Sequence, residues 1–112
     1  EKELKPVDPK DPIVLVTHHW VGRKGSQMVD NELDLLRLLQ PYNVKFIFNG
    51  HGHSDLWWDW EGIPNTMNKG LYQGSYQVVT IDPEADTLPV SRRSADPKKS
   101  DSQLVKLSPQ PK

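Results

Sequence analysis

Two short apolar runs, Ile13-Val14-Leu15-Val16-Thr17 and Val44-Lys45-Phe46-Ile47-Phe48-Asn49, restrict the fold more than any other feature of the chain. Neither alternates cleanly with polar residues, so each reads as a strand buried on both faces, the pattern of parallel sheets covered by helices. Between them, residues 31–40 place Leu33, Leu35, Leu36, Leu38 and Leu39 at helical spacing, with Glu32, Asp34 and Arg37 interspersed. That spacing predicts a helix with Asp30 as its N-cap and Pro41 as its stop. Strand, helix and strand in this order form a βαβ unit, whose right-handed crossover makes the two strands parallel. The fold class is therefore α/β, one βαβ unit followed by β-rich segments. Residues 56–61 read as a strand, 62–64 as a turn and 76–81 as another strand. Asp82-Pro83-Glu84-Ala85-Asp86 has turn chemistry, and 87–90 could return as a hairpin partner.

The flanks differ from this body in composition. With 112 residues and a formal net charge of −1, the chain corresponds to about one small domain. Residues 1–12, where Pro6, Pro9 and Pro12 are interleaved with charges, read as an extended lead-in. Residues 13–90 carry five basic against nine acidic side chains and must supply the core. Residues 91–112 carry six basic against two acidic, with much Ser and few large apolar groups, and read as a flexible basic tail. Arg92, Arg93, Lys98 and Lys99 in that tail could touch phosphate, but the acidic body argues against nucleic acid as the main partner. No run approaches the roughly 20 apolar residues of a membrane-spanning helix. The first residue is Glu and no signal pattern follows, which suggests a start inside a larger gene product.

Chemistry concentrates where the two buried strands end. The first stops at His18-His19 and the second runs into Gly50-His51-Gly52-His53, so all four histidines of the chain lie in these two motifs. Ligand sites in open α/β sheets lie outside the carboxyl ends of the strands, and adjacent strands are only about 4.8 Å apart. Imidazoles from both loops can therefore meet at one ion. Gly50 and Gly52 permit positive φ, which would let alternate histidines turn inward. Each histidine alone could equally be an exposed or hydrogen-bonded residue. Together, after two buried strands, they form a metal-site pattern. With no cysteine in the chain, the ligands must be His, Asp, Glu or Asn. If strand alternation continues, His19 faces away from His18 and either orients a metal ligand from behind or faces the substrate.

These residues resemble the last two metal motifs of the calcineurin-like metallophosphoesterases, a superfamily that includes purple acid phosphatases and many bacterial phosphodiesterases. The resemblance covers residues 13–90. It implies half of a four-layer α/β/β/α sandwich and a site for two divalent or trivalent ions, zinc, manganese or iron, in the complete enzyme. By that resemblance His18 and His51 bind the second metal and His53 the first. The implied reaction is hydrolysis of phosphate mono- or diesters by metal-activated water. The chain departs from the pattern at Trp20, where the family often has Pro, and at Gly52, where a larger residue is usual. The earlier motifs that supply the bridging aspartate, the other ligands of the first metal and the proton donor are absent. The chain is thus expected to be the C-terminal part of such an enzyme and inactive alone. Its implied partner is the missing N-terminal half or a companion chain, and one face of its buried strands is expected to lie open.

Trp57, Trp58 and Trp60 follow His53. Strand alternation puts Trp58 and Trp60 on one face and Trp57 on the other. Core packing is the ordinary role for such residues. A functional role would make Trp57, or Trp20 beside His19, a wall of the substrate pocket, and Asp55 and Asp59 could orient a ligand histidine. Two other readings stay open: a non-catalytic module gripping a sugar or protein with these tryptophans, and a mononuclear zinc hydrolase built on His18, His51 and His53.

Overall fold

The computed structural model describes residues 3–22 and 31–109. β1 (Pro12–Val16), α1 (Glu32–Leu39) and β2 (Asn43–Asn49) form the expected βαβ unit, with β1 and β2 parallel. The helix ends where Pro41 requires, and Asn31 and Gln40 flank it as caps. The expected cap Asp30 lies outside the described residues. Next come β3 (Leu56–Trp60) and β4 (Ile63–Met67), giving a four-stranded sheet in the order β1-β2-β4-β3. β5 (Ser75–Val79), β6 (Thr87–Ser94) and β7 (Asp101–Lys106) form a separate antiparallel sheet in the order β5-β6-β7.

β4 replaces the expected turn at 62–64. The turn is only Glu61-Gly62, both at positive φ (50° and 83°), the type I′ geometry that suits a two-residue hairpin. Pro64, the residue that argued against a strand here, costs little. It pairs with Asp59 one step beyond the turn-flanking Trp60–Ile63 pair, at a non-hydrogen-bonded position of the ladder. Pairing of β4 with β2 begins only at Asn65.

β2, β4 and β3 of the four-stranded sheet are covered on both faces. Leu35, Leu36 and Leu39 of α1 pack with Val21, Ile47 and Trp60 on one side. Phe46, Phe48 and Trp57 pack with Leu88, Val90, Val105 and Leu107 of the second sheet on the other. A bulge sets which residues of β2 face which layer. The register passes from Ile13↔Val44 to Val14↔Phe46 and leaves Lys45 as the extra residue, which shifts the two-residue alternation by one. Val44 therefore faces the helix side, whereas Phe46 and Phe48 face the second sheet. The buried Lys45 donates from Nζ to Ser108 O at 2.9 Å. Loss of hydration lowers its pKa, and Asp86 partly opposes that shift.

Three layers, α/β/β, are thus present among the described residues. One face of the first apolar run lies open as expected: Val14 and Val16, paired with Phe46 and Phe48, are exposed, so β1 is not buried on both faces. The outer face of the second sheet, where Tyr76, Val78 and Leu104 are exposed, is open as well.

Both flanks are structured within their described residues. The lead-in is not extended: Val7 N–H donates to Leu4 O and Asp11 N–H to Asp8 O, each at 2.9 Å, and Leu4 joins the helix-side core. Nor is the basic tail flexible across 91–109. It completes β6 and supplies β7, and Leu107 is buried. A strand with one buried face needs an apolar residue only at every second position, so a sparse composition suffices. Burying side chains such as Val90 and Leu107 contributes about 1.5–3 kcal/mol each.

Arg92, counted in that tail, is only 2% exposed. Its guanidinium donates to Leu56 O at 3.0 Å, Thr66 Oγ1 at 2.9 Å, Met67 O at 2.8 Å and Asn68 Oδ1 at 3.0 Å. It pairs with Asp55 at 3.6 Å and Asp101 at 3.4 Å, and lies 4.5 Å from the Trp57 ring centre. This one side chain ties β6 to β3 and β4, in addition to the apolar contacts between the two sheets. No helix among the described residues is long and apolar enough to cross a membrane. Replacing Arg92 by Ala orphans several buried acceptors, and the expected loss is about 3–5 kcal/mol. Denaturant unfolding should show a lower midpoint for Arg92→Ala, with Arg92→Lys recovering less than half of the loss because one ammonium cannot span these acceptors.

Candidate metal centre

The parallel pairing of β1 and β2 continues past the strands. Thr17 N–H donates to Phe48 O at 2.9 Å, and Gly50 N–H donates to His18 O at 3.0 Å. Both histidine loops therefore leave the sheet side by side at its carboxyl edge. Below them, the side chain of Asn49 accepts Val21 N–H at 3.2 Å, and the Trp58 indole N–H donates to Val21 O at 2.9 Å.

Here the ligand nitrogens of His18, His19 and His51 all lie within 4.8 Å of one another. His18 Nε2 and His51 Nδ1 share a hydrogen bond of 2.9 Å, one ring donating and the other accepting. Ring centres are 5.2 Å apart for His18 and His19, 4.9 Å for His18 and His51, and 5.0 Å for the stacked pair His19 and His51. Zinc–nitrogen bonds of about 2.0–2.1 Å in a tetrahedron put ligand nitrogens about 3.3 Å apart. Small ring rotations would meet that spacing, so the donor set fits one nitrogen-bound ion.

The membership differs from the sequence reading in two places. His19 belongs to the cluster: β1 ends at Val16, so strand alternation no longer governs the bend at His18-His19. His53 does not belong to it. Its Nδ1 is 3.0 Å from the Tyr72 hydroxyl, with the rings edge to face at 5.9 Å. Tyr72 was not singled out in the sequence, because it arrives from the short turn after β4.

The glycines act differently from expectation. His51 and His53 themselves hold positive φ (69° and 52°), whereas Gly50 and Gly52 do not. Gly52 matters for space: a Cβ there would lie 2.5 Å from Met67 Sδ and 3.2 Å from the Trp20 ring. The room a larger residue would fill is taken by Met67 and Trp20.

Trp20 lies beside the cluster, its ring centre 6.3 Å from that of His51. Trp57 is elsewhere and walls nothing here. Alternation turns it toward the second sheet, where it meets Phe46 edge to face and donates from Nε1 to Asp101 at 2.7 Å. Trp60 is buried and the Trp58 indole is bonded to Val21, so the tryptophans form no exposed gripping surface. Asp55 accepts from Lys69 N–H and Ser75 Oγ, and Asp59 from Gly62 N–H, so neither orients a histidine. Among the described residues no carboxylate joins the cluster.

The site lies open on the surface, with all three histidines exposed. The groove lined by Leu36, Pro41, Asn43 and Ile63 opens at the other end of β2. The His51 pKa is lowered, first by lost hydration among the packed rings and then by the charges of His18, His19 and His53. His51 thus keeps its lone pair free for a metal to a lower pH than an isolated histidine does.

No protein-family model and no curated protein sequence matches the chain. Among solved structures it is similar to a single mutant of Vps29 from Entamoeba histolytica, with 14% identity and a TM-score of 0.47. The match covers 76% of this chain and 51% of that one, so this chain spans about half the length of that structure.

The left-handed backbone at His51 yields a prediction that needs no metal. A residue with a Cβ pays about 1 kcal/mol or more in this region, and Gly does not. Among variants that both lose the imidazole, His51→Gly should therefore be more stable than His51→Ala by about 1 kcal/mol, as read by thermal or denaturant unfolding.

Proposed function

We propose that this chain is the C-terminal part of a metal-dependent phosphoesterase whose His18, His19 and His51 hold one metal ion. The reading is carried by the convergence of three imidazoles at the carboxyl end of a parallel strand pair, within 4.8 Å of one another. It is supported by the likeness of both loops to the metallophosphoesterase motifs. His53 would serve a second ion, whose carboxylate ligands would come from the N-terminal half or a companion chain. When bound, such ions polarise a phosphoryl oxygen and lower the pKa of a water. Zinc, manganese and iron all suit nitrogen ligands.

The residues of this chain divide the remaining work. His18, His19 and His51 each present one neutral nitrogen. The Tyr72 hydroxyl engages His53 Nδ1 at 3.0 Å and leaves its Nε2 as the nitrogen able to bind. Trp20 shields the side of the cluster next to His51. The substrate class is a phosphate mono- or diester.

One observation favours a second reading. Three imidazoles without a carboxylate form the ligand set of a mononuclear zinc site with water in the fourth position. Metal content and turnover separate the two. The purified chain should bind one zinc or cobalt ion, with binding lost in His18→Ala, His19→Ala and His51→Ala and kept in His53→Ala. It should not hydrolyse an aryl phosphate monoester or diester. Robust turnover by this chain with one bound ion would establish the mononuclear reading, and no metal uptake at neutral pH would defeat both.

A further inference from the structure

We infer that Asn49 is the positioning residue of the histidine cluster, its buried carboxamide holding the two histidine loops in one register. The inference rests on the metal-binding reading above and deepens it. Asn49 is the last residue of β2 and directly precedes Gly50-His51, while Val21 is the third residue after His18. The Asn49 side chain is 8% exposed, and its Oδ1 accepts Val21 N–H at 3.2 Å. This bond crosses from one histidine loop to the strand that launches the other.

The opposite end of the carboxamide is fixed as firmly. Nδ2 donates to Asn65 Oδ1 at 3.0 Å, and to Thr66 O and Ile47 O at 3.2 Å each. These partners lie on β4 and on β2 itself, the rigid interior of the sheet. Asn65 is fully buried and spends its own Nδ2 on Ile63 O at 2.9 Å, so the oxygen it offers Asn49 is held in place. Val21 is anchored on three sides: its side chain is fully buried, its N–H goes to Asn49 and its carbonyl accepts the Trp58 indole N–H.

Residue type decides why Asn is needed. The position must accept one backbone N–H while donating to carbonyl oxygens, and only a carboxamide does both from one short side chain. Aspartate keeps the acceptor for Val21 and loses the donors. Serine is too short to span both sets. An apolar residue leaves Val21 N–H and the sheet carbonyls without partners.

The histidine rings carry no buried packing of their own, so their placement depends on the backbone of these loops. Losses in residues that orient metal ligands typically cost 10- to 100-fold in affinity.

The test titrates zinc, and cobalt by its visible spectrum, into the chain and its variants, alongside imidazole nitrogen NMR of the metal-free chain. Asn49→Ser and Asn49→Asp should each weaken zinc binding by 10- to 100-fold and change the cobalt spectrum. Thr66→Val, which removes a buried hydroxyl bonded to Arg92 and Gln77, should lower stability without moving either metal readout. In the metal-free chain, the nitrogen shifts of the His18–His51 hydrogen bond should move in Asn49→Ser and not in Thr66→Val. Zinc affinities of Asn49→Ser and Asn49→Asp within about threefold of wild type, or affinity that falls only in proportion to stability in all three variants, would overturn the positioning role. If the wild-type chain takes up no metal, the metal reading fails, and unmoved imidazole shifts in Asn49→Ser would then reject the positioning role separately. An Asn49→Ser chain that does not fold leaves the comparison to Asn49→Asp against Thr66→Val, where an Asn49→Asp affinity within about threefold of wild type also overturns it.

Discussion

The parallel pairing of β1 with β2 is the contact on which everything else in this structure depends. It sets two chain segments about 4.8 Å apart and ends them at the same edge. Its last hydrogen bonds lie beyond the strands, from Thr17 N–H to Phe48 O and from Gly50 N–H to His18 O. Antiparallel pairing would send His18-His19 and Gly50-His51-Gly52-His53 to opposite ends of the sheet. The crossover through α1 enforces the parallel choice, and the leucines of that helix close one face of the pair. The fold and the site thus have one cause.

Burial of β2 on two faces follows from strand alternation, and the bulge at Lys45 decides which residues meet which layer by turning Phe46 toward the second sheet. Phe46 and Phe48 then join the core shared with the second sheet, and Arg92 fastens β6 to β3 and β4 across that interface. The same guanidinium holds Met67 O, and the Met67 side chain occupies the space beside Gly52. A packing chain therefore runs from the second sheet to the histidine loop. The outer face of the second sheet, with Tyr76, Val78 and Leu104, carries no such cover among the described residues.

The βαβ unit was legible because its signals are local: continuous apolar runs, leucines at helical spacing, and Pro41 as a stop. The edge where the histidines meet followed from topology alone. Membership of the cluster did not. Placing His19 outside it assumed that strand alternation continued past Val16, and placing His53 inside it assumed that Gly50 and Gly52 turn alternate histidines inward, whereas Tyr72, distant in sequence, engages His53. β4 was hidden by Pro64, whose missing N–H matters only at a hydrogen-bonded ladder position. β7 and the end of β6 were hidden by composition, since Arg92 reads as a solvated charge unless its acceptors, which come from sequence positions 24 to 36 residues away, are known. Long-range polar contacts leave no periodic trace in a sequence.

Backbone strain separates the histidine loop from the rest of the chain. Among the described residues, four other than glycine hold positive φ: His51, His53, Glu61 and Asp86. Glu61 and Asp86 lie in the turns that join β3 to β4 and β5 to β6, where reversal of the chain accounts for the conformation. His51 and His53 join no hairpin. Their left-handed backbone is held instead by the hydrogen bonds and packing around Gly50 and Gly52, and it places the His51 ring against His18 and His19. Strain of this kind persists where the surrounding structure over-determines it, and it gathers at sites where placement of a side chain outweighs local stability. Gly50 and Gly52, which could have adopted the conformation at no steric cost, do not. The chain therefore spends its strain on the residues that carry the imidazoles, and Gly52 leaves room for Met67 and Trp20 beside them.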